Sequence, residues 1–451
     1  MQAQPSIIDR QCYADSAIPR VEFSPAVLTV AAVVIALSCS REFGIPKIAE
    51  LPQVTADRVG IVLLCALMAA EIVVHRMQDW DLRFTEVGLG VVGVFAAISG
   101  LVYGGFLVGY AGGGPDVLLK FLIIPGILFA AVIRADLSRP SLLTFLIIML
   151  AFGTYLGGTA VAERLGYTWA LFPSQIGDPQ IEQHWGRARG PFMQAEFNGA
   201  VMAMLVPLAI LFFSMKAGRL RCIGFSVALL LCVGCYLTYT RAVLASLAII
   251  LLIGSVIANP ARKSYRTLLL MMCLGAGVVA TTHNPLVDRL KEAEPLNSRL
   301  QLLASTLRMI AAHPVAGVGF VNFDHVQKEY YDPSALSGLG EIDSSEFWEG
   351  GTHNSLLTPV AELGVLVGGI YLLLVGRVFF LGFRCLRSTR SRTNDQTALV
   401  TCAILVGIVF VINASLVELR YTLTPNAMFW VGAAFIERAS RHQVSNGWRV
   451  R

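Results

Sequence analysis

The sequence predicts an all-helical, polytopic membrane protein of about twelve transmembrane helices, with one large polar segment on the outer side that contains an amphipathic helix. Three observations carry that expectation. Apolar runs long enough to cross a bilayer, which takes roughly 20 residues each, recur along most of the 451-residue chain. Hydrophobic residues make up 55% and charged residues only 14%, against about a quarter charged in a water-soluble domain, and the mean hydropathy is +0.65. The runs are apolar on every face, whereas the strands of a membrane barrel alternate apolar and polar residues, so a barrel is excluded.

Taken in order, residues 1–22 carry Asp9, Arg10, Asp15 and Arg20 with no apolar stretch, and read as a cytoplasmic tail instead of a signal peptide. Nine spans are expected within 23–282, at 23–40, 59–74, 87–107, 117–133, 141–161, 197–213, 222–239, 242–258 and 267–281. Residues 283–354 form the outer segment. Three further spans, at 355–380, 398–415 and 425–436, fall within 355–436, and 437–451 is a basic cytoplasmic tail.

Orientation follows from lysine and arginine, which cytoplasmic loops retain. One set of loops holds Arg76, Arg83, Arg134, Arg139, Lys216, Arg219, Arg221, Arg262, Lys263, Arg266, Arg384, Arg387, Arg390 and Arg392. The alternate loops mix bases with acids such as Asp178, Glu182, Asp324, Glu341, Asp343, Glu346 and Glu349. Both termini are therefore expected inside, with 164–196 and 282–354 outside. Five of the seven histidines (His184, His283, His313, His325 and His353) fall on that outer side. Most of the nine cysteines lie in or beside apolar runs and none in the long outer loops, which implies neither a disulfide framework nor a cysteine metal site. The glycine-rich 104–114 reads as a tight outer turn, because a phosphate-cradling loop needs a strand–helix context.

The stretch 297–364 is the longest polar interruption. On a helix over 297–312, Leu300, Leu303, Leu307 and Ile310 share one stripe, Arg308 points to the opposite, wet side, and Arg299 sits at the stripe's edge. Pro314, Gly317 and Gly319 then stop the helix. Arg299 either snorkels to headgroups or meets an anion. Arg241, in the short connection TYTRAV, is a surface arginine or faces a cavity, since charges at membrane depth are costly. His353 stands just before a span in GTHNSLL, as a general base or as a neighbour of the helix cap. Glu362, nine residues further on, can hold a proton or pair with an arginine. Tyr330, Tyr331, Phe347 and Trp348 suit sugar stacking or an interfacial belt. No HExxH, paired cysteines or DxD accompanies them, and Asp343 and Glu346 read as solvated loop, so no metal is expected.

Four segments together resemble the O-antigen ligase and O-antigen polymerase superfamily: RARGPFMQAEFNGAVMAMLVP, LTYTRAVLASLAI, SRLQLLASTLRMIAAHPVAGVGFVNF and THNSLLTPVAELGVLVGG. The resemblance implies a bacterial inner-membrane transferase acting on its periplasmic side. It moves a glycan from a polyprenyl-diphosphate carrier to an acceptor hydroxyl on lipid A–core or on another lipid-linked glycan. Membrane lipids are its surroundings, and neither a cofactor nor nucleic acid is implied. It makes Arg241 and Arg299 the clamp on the diphosphate and His353 the base, with Arg187, Arg189, Asn198, Asn354 and Glu362 at the substrate. A ligase is the first reading and a polymerase of O-antigen or exopolysaccharide the second. A lipid-linked glycan transporter would instead show repeats and midplane charges.

Overall fold

The computed structural model describes residues 23–40, 43, 55–74, 82–106, 113–181, 184–216, 218–259, 261–280, 294–331, 354–387 and 394–447. Each of the twelve stretches read as spans contains a helix among its described residues. In chain order they are α1 (Pro25–Leu37), α2 (Ala56–Val74), α3 (Phe84–Val102), α4 (Gly113–Val132), α5 (Arg139–Leu165), α6 (Ala195–Met215), α7 (Gly218–Leu237), α8 (Arg241–Ile257) and α9 (Arg262–Ala280). Then follow α10 (Glu294–Ala312), the amphipathic helix, and α11 (Thr358–Arg387), α12 (Asn394–Ala414) and α13 (Leu423–Gly447). Among the described residues seven helices are long and apolar enough to cross a membrane: α3, α4, α5, α6, α7, α11 and α12. The others differ for visible reasons. Helices α1 and α8 are apolar but shorter. Asp57, Arg58 and Glu71 lie within α2, Arg262, Lys263 and Arg266 open α9, and the second half of α13 is polar.

The starts and stops are written locally. Pro25 and Pro140 sit in first turns, where a missing N–H costs nothing. Gly166, with φ 74°, ends α5 in the left-handed conformation that glycine adopts without penalty. At 27 residues α5 is about 40 Å long, enough for a bilayer core and some headgroup depth. Helix α6 forms the centre, with 83% of its apolar window buried, and packs against α5, α7 and α12. Around it α13 packs on α4 and α11, and α11 on α3.

Helix α11 is broken at Gly364 (φ 79°, ψ 168°), a region open to glycine alone. A break at membrane depth frees backbone groups that must find partners. The chain after α10 supplies them. Val318 N donates to Ala361 O (3.0 Å), Gly319 N to Glu362 O (3.0 Å) and Val365 N to Pro314 O (2.8 Å). The backbones approach so closely that a Cβ on Gly317 would lie 2.3 Å from the Glu362 carbonyl carbon, and one on Gly364 2.1 Å from Val315 O. The HPVAGVG and ELG segments are thus two halves of one contact. The same loop reaches α3, where Phe320 N donates to the Ser99 hydroxyl (3.1 Å).

The amphipathic helix packs on the protein by the face beside its expected leucine stripe. Leu302, Ser305, Thr306 and Met309 are buried against the protein, while Leu300, Leu303 and Leu307 are exposed. That exposed leucine row is the face a bilayer surface would take. Arg308, expected in water, instead donates to Tyr330 O (2.9 Å) and ties the helix to its own loop.

Candidate functional site

At the end of the bundle where α5 stops and α6 begins, Arg187 works as a clamp. Its Nε donates to Thr238 O (2.9 Å) and its Nη2 to the Thr240 hydroxyl (2.7 Å), while Ala188 N donates to Leu237 O (3.0 Å). These bonds hold the three-residue turn between α7 and α8, in which Tyr239 takes φ 47°. Such a φ is uncommon for a bulky residue and persists only when the surroundings over-determine it. The turn delivers Arg241 as the first residue of α8. Arg187 Nη1 also donates to His184 Nδ1 (2.7 Å), and Glu196, in the first turn of α6, lies 3.5 Å from Arg187 Nη2 and 3.6 Å from His184 Nε2.

The charge of Glu196 in this group reaches Arg299, on α10. Burial lowers its proton affinity, the Glu196 carboxylate raises it, and the Arg241 guanidinium lowers it further. Arg241 and Arg299 are both half-buried. Among the described residues neither guanidinium has a hydrogen-bond or ion-pair partner. Two like charges at partial burial repel, and the charge of Arg241 acts on Arg299 in that sense. Each offers a planar fork of donors suited to an oxyanion.

The remaining expected residues are placed as follows. Arg189 is fully buried; it donates to the carbonyls of Ile176 (3.0 Å), Asp178 (2.7 Å) and Ile181, lies 3.7 Å from Glu163, and stacks over Trp185. It latches the segment between α5 and α6. Asn198 is fully buried, with its amide donating to Ala188 O (3.1 Å). Asn354 caps α11, its Oδ1 accepting from Leu356 N (3.1 Å) and Leu357 N (3.0 Å). Glu362 is fully buried and paired with Arg420 at 2.6 Å. For Arg189, Asn198 and Glu362 the described contacts are therefore with the protein itself. His353 lies outside the described residues, as do Asp343, Glu346, Phe347, Trp348 and Glu349.

Arg420 is the largest feature missing from the sequence reading. It lies between α12 and α13 and bridges Glu362 to Glu418, with its Nε 2.6 Å from Glu418 Oε1. Glu418 in turn accepts from the hydroxyls of Ser355 (3.2 Å) and Thr358 (3.3 Å). Ser355 N donates to Ala414 O (2.7 Å), so the start of α11 is bound to the end of α12. Next to this network burial pushes the Asp324 carboxyl up, Glu418 adds to the rise, and Arg420, the Tyr421 hydroxyl and His325 oppose it. The signal was available in VELRY, two opposite charges between two apolar runs, where membrane-level charges call for partners. Glu196 and His184 were legible only as residue types near the Arg187 segment.

Fold and cluster together define a polytopic helical membrane protein with an arginine-lined site at one end of its bundle. Residues 225–372 match the family model described as O-antigen ligase, so the chain carries a domain of the O-antigen ligase superfamily. That domain contains Arg241, Arg299, the HPVAGVG loop and Glu362, and supports a role in glycan assembly of the O-antigen ligase or polymerase type. Comparison with curated proteins gave no match.

Proposed function

We propose that this chain is a glycosyltransferase that moves a glycan from a polyprenyl-diphosphate carrier to an acceptor hydroxyl, on the periplasmic face of a bacterial inner membrane. The observation that carries this reading is the half-buried pair Arg241 and Arg299, whose charges act on one another and whose guanidiniums have no hydrogen-bond or ion-pair partner among the described residues. A lipid-borne diphosphate arrives from the bilayer side at headgroup depth, where α10 lies. Guanidinium forks bind its oxygens and neutralise the charge that builds on the leaving group. The bond between the anomeric carbon and the phosphate oxygen breaks, the acceptor oxygen takes its place, and the acceptor proton passes to His353. A single displacement inverts the sugar carbon, by analogy with the two geometries of glycoside hydrolysis. Arg187, Arg189, Asn198, Asn354 and Glu362 act in this scheme by holding the turn, the loop and the broken helix around the substrate.

Two guanidinium charges equal one divalent ion, so the reaction proceeds without metal. Purified protein is expected to transfer glycan in excess EDTA at nearly its untreated rate, and His353→Ala to abolish transfer with insertion unchanged. Chelation that stops the reaction, reversed by Mg²⁺, overturns the arginine clamp; a fully active His353→Ala removes the base. Ligation to lipid A–core is the assignment we favour. Deleting the gene should leave finished polymer on its lipid carrier, whereas accumulation of single lipid-linked repeats would reassign the chain as a polymerase.

The twelve-span topology with both termini inside follows from the charge asymmetry of the loops. Single cysteines in a cysteine-free background test it. A cysteine at Glu329 is expected to react with an impermeant external thiol reagent, and one at Arg219 not to. The reverse pattern overturns the orientation.

A further inference from the structure

The segment between α5 and α6 exposes two tryptophans in different company. Trp169 is 86% exposed, beside exposed Leu165, Tyr167 and Phe172, the apolar setting of aromatic residues at a membrane–water interface. Trp185 is 48% exposed and stands among charged and polar groups. Its neighbour His184 accepts from Arg187 at Nδ1 (2.7 Å), and Glu196 lies 3.6 Å from His184 Nε2 and 3.5 Å from Arg187 Nη2. Arg187 also bonds to the hydroxyl of Thr240, the residue before Arg241. Trp185 thus belongs to the loop that holds the turn delivering Arg241.

The indole is held from behind. The Arg189 guanidinium lies over one face of the ring, 4.8 Å from its centroid. Arg189 is fully buried and fixed by the carbonyls of Ile176, Asp178 and Ile181 and by Glu163. The remaining exposure of Trp185 therefore belongs to the opposite face and the ring edge. On either side His184 (φ 57°) and Gly186 (φ 79°) take left-handed backbone, which turns the chain sharply at the ring. A flat apolar face that is fixed before a ligand arrives loses little freedom on binding.

A sugar ring carries an apolar face of C–H groups and a rim of hydroxyls, so it needs a flat apolar surface with polar groups beside it. Trp185 supplies the surface. Its indole N–H donates to nothing among the described residues, and the Glu196 carboxylate has ion-pair contacts but no hydrogen bond among them. Both are therefore open to hydroxyls. A lipid chain laid here would strip water from that carboxylate without replacing it, and a phosphate would meet it as a like charge. We propose that Trp185 is a stacking platform for a sugar ring, with Glu196 accepting from the hydroxyls of that glycan. Donor and acceptor both carry sugars, and the same chemistry serves either. The inference rests on the glycosyltransferase reading of this chain.

Hydroxyl-radical oxidation of the full, unaltered chain in nanodiscs, read residue by residue with mass spectrometry, tests it. Lipid-linked glycan or acceptor glycolipid, each purified from the cells that make the protein, is expected to slow oxidation of Trp185 and leave Trp169 unchanged. Protection by the donor places the stacked ring in the transferred glycan, and protection by the acceptor places it in the receiving one. Farnesyl diphosphate, which has no sugar, is expected to protect neither tryptophan. In turnover Trp185→Leu, which still covers Arg189 but has no flat face, is expected to raise KM for the protecting substrate about tenfold with kcat little changed. Trp185→Phe, which keeps a flat face, is expected to stay within about threefold. Equal oxidation of Trp185 with and without either glycan, in a chain that still transfers glycan, overturns the platform alone. Protection by farnesyl diphosphate, or an unchanged KM in Trp185→Leu, overturns it as well. The oxidation measurement needs no variant, so it decides even if Trp185→Leu fails to fold. No transfer by the unaltered chain overturns the glycosyltransferase reading beneath it.

Discussion

Replacing Arg299 or Arg241 by alanine is expected to reduce glycan transfer by about a hundredfold or more, the loss typical of removing one preorganised group that stabilises charge in a transition state. The two side chains are half-buried, have no hydrogen-bond or ion-pair partner among the described residues, and the charge of Arg241 disfavours that of Arg299. Either truncation therefore relieves an unfavourable contact, and thermal stability in detergent should stay level or rise. Activity lost while stability is kept is what separates a binding group from a structural one. Lysine should rescue poorly at both positions, because a point charge cannot bind two phosphate oxygens with a planar fork. If Arg299→Ala keeps wild-type transfer, Arg299 is a headgroup anchor and the clamp reading fails.

Arg420 is expected to behave in the opposite way. Arg420→Met removes the cation that pairs with both Glu362 and Glu418, two buried carboxylates each 2.6 Å from it. Breaking a buried ion pair by deleting one partner costs about 3–5 kcal/mol, mostly because the remaining charges stay buried. Two buried carboxylates lose this ion pair: Glu418 accepts from Ser355 and Thr358, and Glu362 stands beside the break in α11. Loss of folded, detergent-extractable protein and a large drop in Tm are the measurements. Changing Glu362 and Glu418 to glutamine in the same chain should recover most of that loss, since all three charges are then gone. An Arg420→Met protein with wild-type Tm would show that the network does not hold the helices together.

These two arginine sites show why the sequence located one and passed over the other. Arg241 and Arg299 lie within segments whose residue order is distinctive, TYTRAV and SRLQLL, so they were legible as candidates. Arg420 lies in no such segment. Its role comes from Glu362, 58 residues earlier, and Glu418, which meet it only because the end of α12 folds back on the start of α11. Arg189 shows the reverse case. Its segment marked it as a substrate residue, yet its guanidinium closes on the carbonyls of Ile176, Asp178 and Ile181, and a local string cannot tell which side of a loop a side chain enters.

Apolar runs by themselves determined that the chain is a helical membrane protein, and where each helix lies, because in lipid the backbone must satisfy its own hydrogen bonds and length sets what can cross. Proline and glycine likewise marked the stop after α10. The tertiary structure alone decided how Gly317 and Gly364 share one close contact, which face of α10 meets the protein, and that Glu196 lies against Arg187 and His184. Those facts depend on pairings between residues far apart in the chain. Periodicity and composition report the surroundings of a residue, whereas charge pairing and backbone contact depend on its neighbours in space.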